Sequence, residues 1–556
     1  MVKRLFVVLI CLSMLMSCFA CGNGEKKSNG DGNGSAEFKA WTMHAYEKTV
    51  VNVNPDVKNP STEYTVYLAK GETEGCQVAV YSSEMLKSVT LTLKSGEKEL
   101  IKPTMFSMDR THAVGRKQYT DSLVLYGGSR LILREKTVLP FMIEFTTDEN
   151  TPAGDYKYVY EFKDKNKNVL ATFNITVHVW DFELPKDKSF VTSAALYWDS
   201  IEAAIGLCNE DIYKQWYDDM LEHNISAFDL PYDELDERAE AYMSDPRVTA
   251  FVLPIPKNED GSINEEKLLQ YYNRLKTNPV WLEKAFFYPM DEPRTLEHLE
   301  ELKEYEKKLT ALCPEIEICA PYYTNLGPNV LGGNKDQTEI MAAYTDLWCP
   351  KLCLWDDKQS YDAYGVTNPK SFEERMNDQI AKGDRMWTYV CNDPDDPYAQ
   401  LFIDTEGKNQ RLLFWQIYQR NIKGFLYWSV NYYGYKEGPN PVGTVTPQDP
   451  WNTVNTKIPN GDGKTIYGCG FLFYPGSDVG IGGAVPSIRA KIVRDGADDV
   501  EMFYLAEKYL EGGREWLVNK TKEGTSSLTE YCSSDEFANL RIEIGNAIET
   551  AIKNSK

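Results

Sequence analysis

Thr172-Phe173-Asn174-Ile175-Thr176-Val177-His178-Val179-Trp180-Asp181-Phe182-Glu183-Leu184-Pro185 is where the chain changes its rhythm. Up to Trp180 apolar and polar residues alternate with the period of two that marks a half-buried strand, and the segment ending at Pro185 stops it. Upstream, residues 64–68, 76–81, 89–93, 141–145 and 156–162 follow the same pattern, separated by turn residues such as Thr151-Pro152-Ala153-Gly154-Asp155. This predicts an antiparallel β-sandwich over 36–186. Downstream, eight apolar runs at 190–197, 225–230, 248–254, 284–290, 315–321, 346–352, 385–391 and 424–430 alternate with amphipathic helical windows at 209–223, 263–277, 294–312, 369–382 and 407–421. That alternation predicts a (β/α)8 barrel over 187–475, whose chemistry belongs at the C-terminal ends of the strands. Pro486-Ser487-Ile488-Arg489 opens a long helical pattern through Leu510, and a last one runs from Ser534 to Lys553. They predict a C-terminal helical region, 476–556, packed on the barrel. The expected fold class is multidomain, β plus α/β.

A chain of 556 residues requires more than one ordinary domain of about 100–200 residues. Apolar residues at 42% and charged residues at 26% are ordinary for globular proteins and exclude a disordered or fibrous chain. Lys and Arg number 60 against 83 Asp and Glu, a formal charge of −23, so phosphate backbones and anionic lipid surfaces are repelled and nucleic acid is a poor partner. The 12 Trp and 35 Tyr supply flat apolar faces with polar tips, which suit sugar rings.

Lys3 and Arg4 precede an apolar run from Leu5 to Met16, too short to span a bilayer of about 30 Å but the right length for the core of a secretory signal. The run ends in Leu15-Met16-Ser17-Cys18, which resembles a bacterial lipobox with Cys18 as the lipidated residue and Cys21 as the alternative. Residues 22–34 are polar and glycine-rich, as in a flexible tether. Residues 1–35 are therefore expected to be signal and tether. The expected location is the bacterial cell surface, extracytoplasmic, with the membrane reached only through the lipid anchor.

Nine cysteines from Cys76 to Cys532 lack the paired spacing of a disulfide framework or a zinc site, and histidines 44, 112, 178, 223 and 298 do not cluster. Metalloprotease, serine hydrolase, NTPase and dinucleotide motifs do not occur. No residue cluster implies a metal or a cofactor.

The fourth run, Ala285-Phe286-Phe287-Tyr288-Pro289-Met290, leads into Asp291-Glu292-Pro293, two adjacent carboxylates at the predicted rim. Two acids held close cannot both ionise easily, and desolvation by Phe287 and Tyr288 adds to that, so one becomes a proton donor near neutral pH. The competing reading is that both acids cap the helix beginning near Arg294. The other strand ends contribute Tyr322, Tyr323 and Asn325 after the fifth run, Trp348 near the sixth, Trp387 and Tyr389 on the seventh, and Tyr427, Trp428 and Asn431 on the eighth. A mouth lined in this way beside paired carboxylates reads as a glycosidase, with Tyr288 and Trp451 among its candidate contacts. Asp393, Asp395 and Asp396 offer a separate nucleophile or an ordinary turn.

The chain resembles glycoside hydrolase family 123 and the related domain of unknown function often found with it. The resemblance rests on Asp291-Glu292-Pro293, Trp387-Thr388-Tyr389-Val390, Gly424-Phe425-Leu426-Tyr427-Trp428, the segments 470–476 and 487–496, and the approach to Pro185. It implies an exo-acting, retaining β-N-acetylgalactosaminidase in which the 2-acetamido oxygen of the substrate attacks C1. It also implies Glu292 as general acid and then base, and Asp291 as the anion holding the acetamido N–H. Trp428 is the expected stacking platform, with Tyr323, Tyr389 and Asn431 as polar contacts, and the segment 435–468 with Trp451 is a candidate lid. The substrate would be the glycan of a glycolipid, glycoprotein or polysaccharide. Two alternatives stay open: another glycosidase using Glu292 with Asp393 or a neighbour as nucleophile, and a non-catalytic glycan-binding lipoprotein.

Overall fold

The structure, a computed structural model, describes residues 37–356, 365–366, 368–435, 446–447, 449–452, 455–456 and 466–555. The signal segment with Cys18 and Cys21 lies outside the described residues, as does most of the 435–468 segment.

Two five-stranded sheets form the N-terminal part. One runs Phe38–His44, Thr73–Ser82, Thr137–Thr146, Pro103–Ser107, Val124–Leu125, with every pair antiparallel. The other runs Glu63–Lys70, Val169–Glu183, Gly154–Lys163, Leu86–Ser95, Leu131–Leu133. Their alternating apolar faces share one core that includes Val78, Phe141 and Ile143 from the first sheet and Tyr160, Phe173 and Ile175 from the second. The pairing of Glu63–Lys70 with Val169–Glu183 is parallel, unlike the antiparallel expectation. These strands are far apart in the chain, so no hairpin dictates their direction.

After Pro185 the expected alternation is present as eight parallel strands: β1 Val191–Ala194, β2 Ser226–Ala227, β3 Phe251–Val252, β4 Ala285–Phe287, β5 Glu317–Tyr322, β6 Leu347–Pro350, β7 Arg385–Val390 and β8 Gly424–Tyr427. Hydrogen bonding runs in the order β2-β1-β8-β7-β6-β5-β4-β3. The remaining gap is bridged where Val252 N–H donates to the Phe228 carbonyl at 2.8 Å, leaving a nearly closed barrel. Phe286, Cys319, Leu347, Trp387, Tyr389 and Leu426 fill the inside. Alternate residues such as Tyr322, Trp348, Phe425 and Tyr427 face the helix layer. Gly424 opens β8 because a Cβ there would lie 2.5 Å from the Trp387 ring.

Three helices tie the two parts together: α1 Gly407–Gln419, α2 Ile488–Tyr509 and α3 Ser534–Ser555. α3 packs on the sheets as well as on α2: Trp180 Nε1 donates to Asn546 Oδ1 at 2.9 Å, and the Arg541 guanidinium lies 5.6 Å from the Trp180 ring. α2 looks like a surface helix by its charges, yet those charges are buried. Arg489 grips both oxygens of Asp121 at 2.8 Å. Lys491 and Arg494 reach Glu144 at 2.9 and 2.8 Å, and Arg411 of α1 binds both oxygens of Asp499 at 2.9 and 2.8 Å. Burying an ion is costly unless a counter-ion and hydrogen bonds meet it, and here each cation meets a carboxylate. The nine described cysteines are free thiols, and no described helix is long and apolar enough to cross a membrane.

Candidate active site

The strand β4 ends at Phe287, and the chain then turns across the barrel mouth. Glu292 has φ +43°, the left-handed region that a non-glycine residue enters at a cost of about 1–3 kcal/mol. Its N–H donates to the Pro321 carbonyl at 3.0 Å, pinning the turn to β5. The kink solves the problem posed by adjacency, since neighbours on a regular strand point to opposite faces. Asp291 stays beside β4, where Tyr288 Oη donates to its Oδ1 at 2.8 Å. Glu292 swings toward β7, where Tyr389 Oη donates to Oε1 at 2.6 Å, and Arg294 Nη2 donates to Oε2 at 2.7 Å. The helix that follows, Leu296–Leu312, is capped by Thr295, whose hydroxyl accepts from His298 N–H at 3.2 Å. Helix capping is therefore not the work of the two acids.

Burial, and then the adjacent Glu292 charge, push the Asp291 carboxyl above the usual aspartate range, while Tyr288 and Arg294 pull the other way. Tyr389 is 3% exposed, and burial followed by the Glu292 charge raises its phenol well above the ordinary tyrosine value, so it stays a hydrogen-bond donor. Tyr197, at the end of β1, is pushed up to about 12 by burial of its hydroxyl and then by Asp291, although 40% of its surface faces solvent.

The predicted contacts divide. Tyr288, Tyr323 and Tyr389 belong to the mouth. Trp428 lies on its β8 side, grouped with Tyr432 at 5.1 Å between ring centres and backed by Tyr197, whose hydroxyl donates to the Trp428 carbonyl at 3.4 Å. Trp387 is in the barrel interior, edge-on to Phe286 at 4.9 Å, and fills rather than lines. Tyr322 faces outward, with its hydroxyl 4.0 Å from Met376 Sδ, and Trp348 packs on it at 6.3 Å. Tyr427 also faces outward and accepts from Gly470 N–H at 3.0 Å. Asn325 is fully buried and accepts from Thr338 N–H and Oγ1 at 3.2 and 3.0 Å. Asn431 clamps the backbone of Tyr197 through two hydrogen bonds of 2.9 Å, so its amide is spent on the fold. Trp451 packs away from the acids, on Tyr474 at 4.8 Å and under Arg110 at 4.9 Å, with Nε1 donating to the Pro475 carbonyl at 3.0 Å. Asp393 is at the rim, where Lys351 Nζ donates to its Oδ1 at 2.8 Å.

Arg294, Lys351 and Tyr197 were missed in the sequence. Arg294 was legible by its adjacency to the acids, and Lys351 and Tyr197 by the rim rule, since Tyr197 ends one predicted strand run and Lys351 is the last residue but one of another. Among the described residues no group of three or more His, Cys, Asp or Glu is placed to hold a metal ion.

A carboxylate pair at the mouth of a β/α barrel, beside several aromatics, defines the class as a hydrolase of glycosidic bonds. Residues 266–506 match the family model described as "Glycoside hydrolase 123, catalytic domain". That segment is thus similar to the catalytic domain of glycoside hydrolase family 123, and the protein is a glycoside hydrolase. The structure of a family 123 glycoside hydrolase from Clostridium perfringens, described in terms of glycolipid glycan hydrolysis, shares the fold: TM-score 0.64 at 13% identity, covering 93% of this chain and 98% of that one. An endo-beta-1,4-mannanase from Thermotoga petrophila aligns at TM-score 0.30 and 11% identity, over 57% of this chain and 77% of its own. A beta-glucuronidase from Bacteroides uniformis aligns at TM-score 0.27 and 12% identity, over 69% and 48%. No curated protein matched the sequence.

Proposed function

We propose that the protein is an exo-acting, retaining β-N-acetylgalactosaminidase that works by substrate-assisted catalysis. The observation that carries this is the pairing of chain neighbours: Asp291 on Tyr288 and Glu292 on Tyr389, brought to one site by the left-handed turn at Glu292. A retaining enzyme with its own nucleophile sets two carboxyl groups about 5–5.5 Å apart, flanking the scissile bond. Neighbours on one turn approach from the same side, which fits a substrate that brings its own nucleophile. In this reading Glu292 gives a proton to the leaving oxygen while the acetamido oxygen attacks C1. The C1–O bond breaks and an oxazolinium ring forms. Asp291 accepts the acetamido N–H and balances the positive charge, and that new donor favours the carboxylate which burial alone disfavours. Glu292 then takes a proton from water as it attacks C1, restoring the acetamido group. Arg294, with 59% of its side chain exposed, holds Glu292 and has room to move aside for the leaving group. The aromatic group of Tyr197, Trp428 and Tyr432 offers the face on which the sugar stacks. The galacto configuration follows the family resemblance, as does a glycolipid, glycoprotein or polysaccharide glycan as substrate.

Release of 4-nitrophenol from the β-N-acetylgalactosaminide, the β-N-acetylglucosaminide and the β-galactoside tests the reading. Cleavage confined to acetamido sugars, inhibited by an oxazoline-mimicking thiazoline and crippled in Glu292→Gln and Asp291→Asn, supports it. Cleavage of the plain galactoside alone, or a fully active Asp291→Asn, refutes it. We also propose surface anchoring through a lipid on Cys18, expected to appear as palmitate incorporation that Cys18→Ala abolishes; unchanged labelling in that variant refutes it.

A further inference from the structure

We propose that Lys351 and Asp393 form the hydroxyl-recognition end of the sugar pocket, opposite the acid pair, and that Asp393 is not a nucleophile. This rests on the reading of Asp291 and Glu292 given above. Lys351 follows β6 directly and is 4% exposed, whereas Asp393, beyond β7, is 45% exposed. Their 2.8 Å ion pair joins an enclosed cation to a carboxylate that is open to solvent beyond the C-terminal end of β7. Among the described residues this is the one side-chain hydrogen bond either of them makes, so Asp393 keeps an oxygen, and Lys351 keeps protons, for a ligand. A sugar hydroxyl both donates and accepts. A carboxylate beside an ammonium offers the complementary acceptor and donor, with the charge of each offset by the other.

The wall of the mouth places this pair relative to the acids. Lys351 Nζ lies 5.3 Å from the centre of the Tyr323 ring, and the Arg294 guanidinium lies 4.8 Å from the same ring. Arg294 in turn holds Glu292 at 2.7 Å. Tyr323 thus separates two ion pairs, Arg294 with Glu292 at the reacting end and Lys351 with Asp393 at the other. Lys351 also bridges the backbone of Tyr389, whose hydroxyl holds Glu292, so both ends are referenced to one residue of β7. With C1 and C2 at the acids, the hydroxyls on C4 and C6 are those that point to the far end of the ring. A carboxylate whose charge is committed to an ammonium at contact distance is a poor nucleophile for C1 and a good acceptor for a hydroxyl.

The test compares kcat/KM for the parent 4-nitrophenyl glycoside and its 4-deoxy and 6-deoxy analogues in the wild type and Asp393→Asn. The wild type is expected to reject at least one analogue by about tenfold or more, and Asp393→Asn to reduce that preference to about threefold or less. Equal preference in wild type and variant, or no preference in the wild type, overturns the proposal. Asp393→Ala is then assayed with sodium azide: restored turnover with formation of a glycosyl azide identifies a nucleophile and overturns it, while slow turnover without azide product supports it. Failure of the acetamido reading is visible separately, as a wild type that cleaves no acetamido sugar; the deoxy comparison is then made on the glycoside it does cleave.

Discussion

Tyr389 on β7 donates to Glu292 Oε1 at 2.6 Å, linking the turn after β4 to a strand three places around the barrel. The hydroxyl is enclosed, so its loss is not made good by solvent. Tyr389→Phe keeps the ring in the barrel interior and removes one donor to a charged acceptor, worth about 1.5–3 kcal/mol. The expected outcome is a fall in kcat/KM of about 10–150-fold with an unchanged melting temperature. Steady-state kinetics beside a thermal melt would show it, and unchanged kinetics would sink the positioning role.

Gly470 fixes Trp428. It has φ +78°, and a Cβ there would lie 2.1 Å from Trp428 Cζ2, so alanine must both strain the backbone and displace the indole. Gly470→Ala is expected to lose about 1–3 kcal/mol in urea unfolding and to weaken substrate binding, with a changed tryptophan emission. A variant as stable and as active as the wild type would mean that Trp428 is not held by this contact.

The Arg489 and Asp121 pair is the sharpest point of the ionic contact between α2 and the sheets. Asp121→Ala leaves a guanidinium buried without its counter-ion, a loss of about 3–5 kcal/mol. Replacing both partners, Asp121→Leu with Arg489→Met, should recover most of it, because the penalty lies in the unpaired charge. Urea unfolding of the single and double variants checks this.

Glu306, on the helix after the acid pair, is 3% exposed and its Oε1 has no hydrogen-bond partner among the described residues. Burial, and then Asp346, raise its carboxyl to about 9 from an ordinary 4.5. The folded protein holds this proton more tightly than the unfolded chain, so its contribution is fully present below about pH 4.5 and is lost as pH rises toward 9. Glu306→Gln should therefore melt higher than the wild type at pH 8 and gain little at pH 4. An equal gain at both pH values would contradict the titration.

The barrel was legible because each of its strands is enclosed on both faces and appears as an apolar run, although the ladders proved shorter, such as Ser226–Ala227 within 225–230. The acid pair was legible because it interrupts such a run at its end. What the sequence could not show was parity. Tyr323 faces the mouth and Tyr322 the helices, Leu426 the interior and Tyr427 the outside, and one residue of register exchanges the sets. Asn325 and Asn431 have the chemistry of sugar contacts, but backbone groups claimed them first. The ionic partners of α2 were not legible, because Asp121 and Glu144 lie more than three hundred residues away in the chain.

That distance sets an order of events during synthesis. The N-terminal part leaves the ribosome first, carrying Asp121 and Glu144 as open carboxylates in water, where they favour solubility. Arg489, Lys491 and Arg494 arrive only after the whole barrel has been made, and they close on those acids last. The ionic contact between the two halves can therefore be completed only once the whole barrel has been delivered.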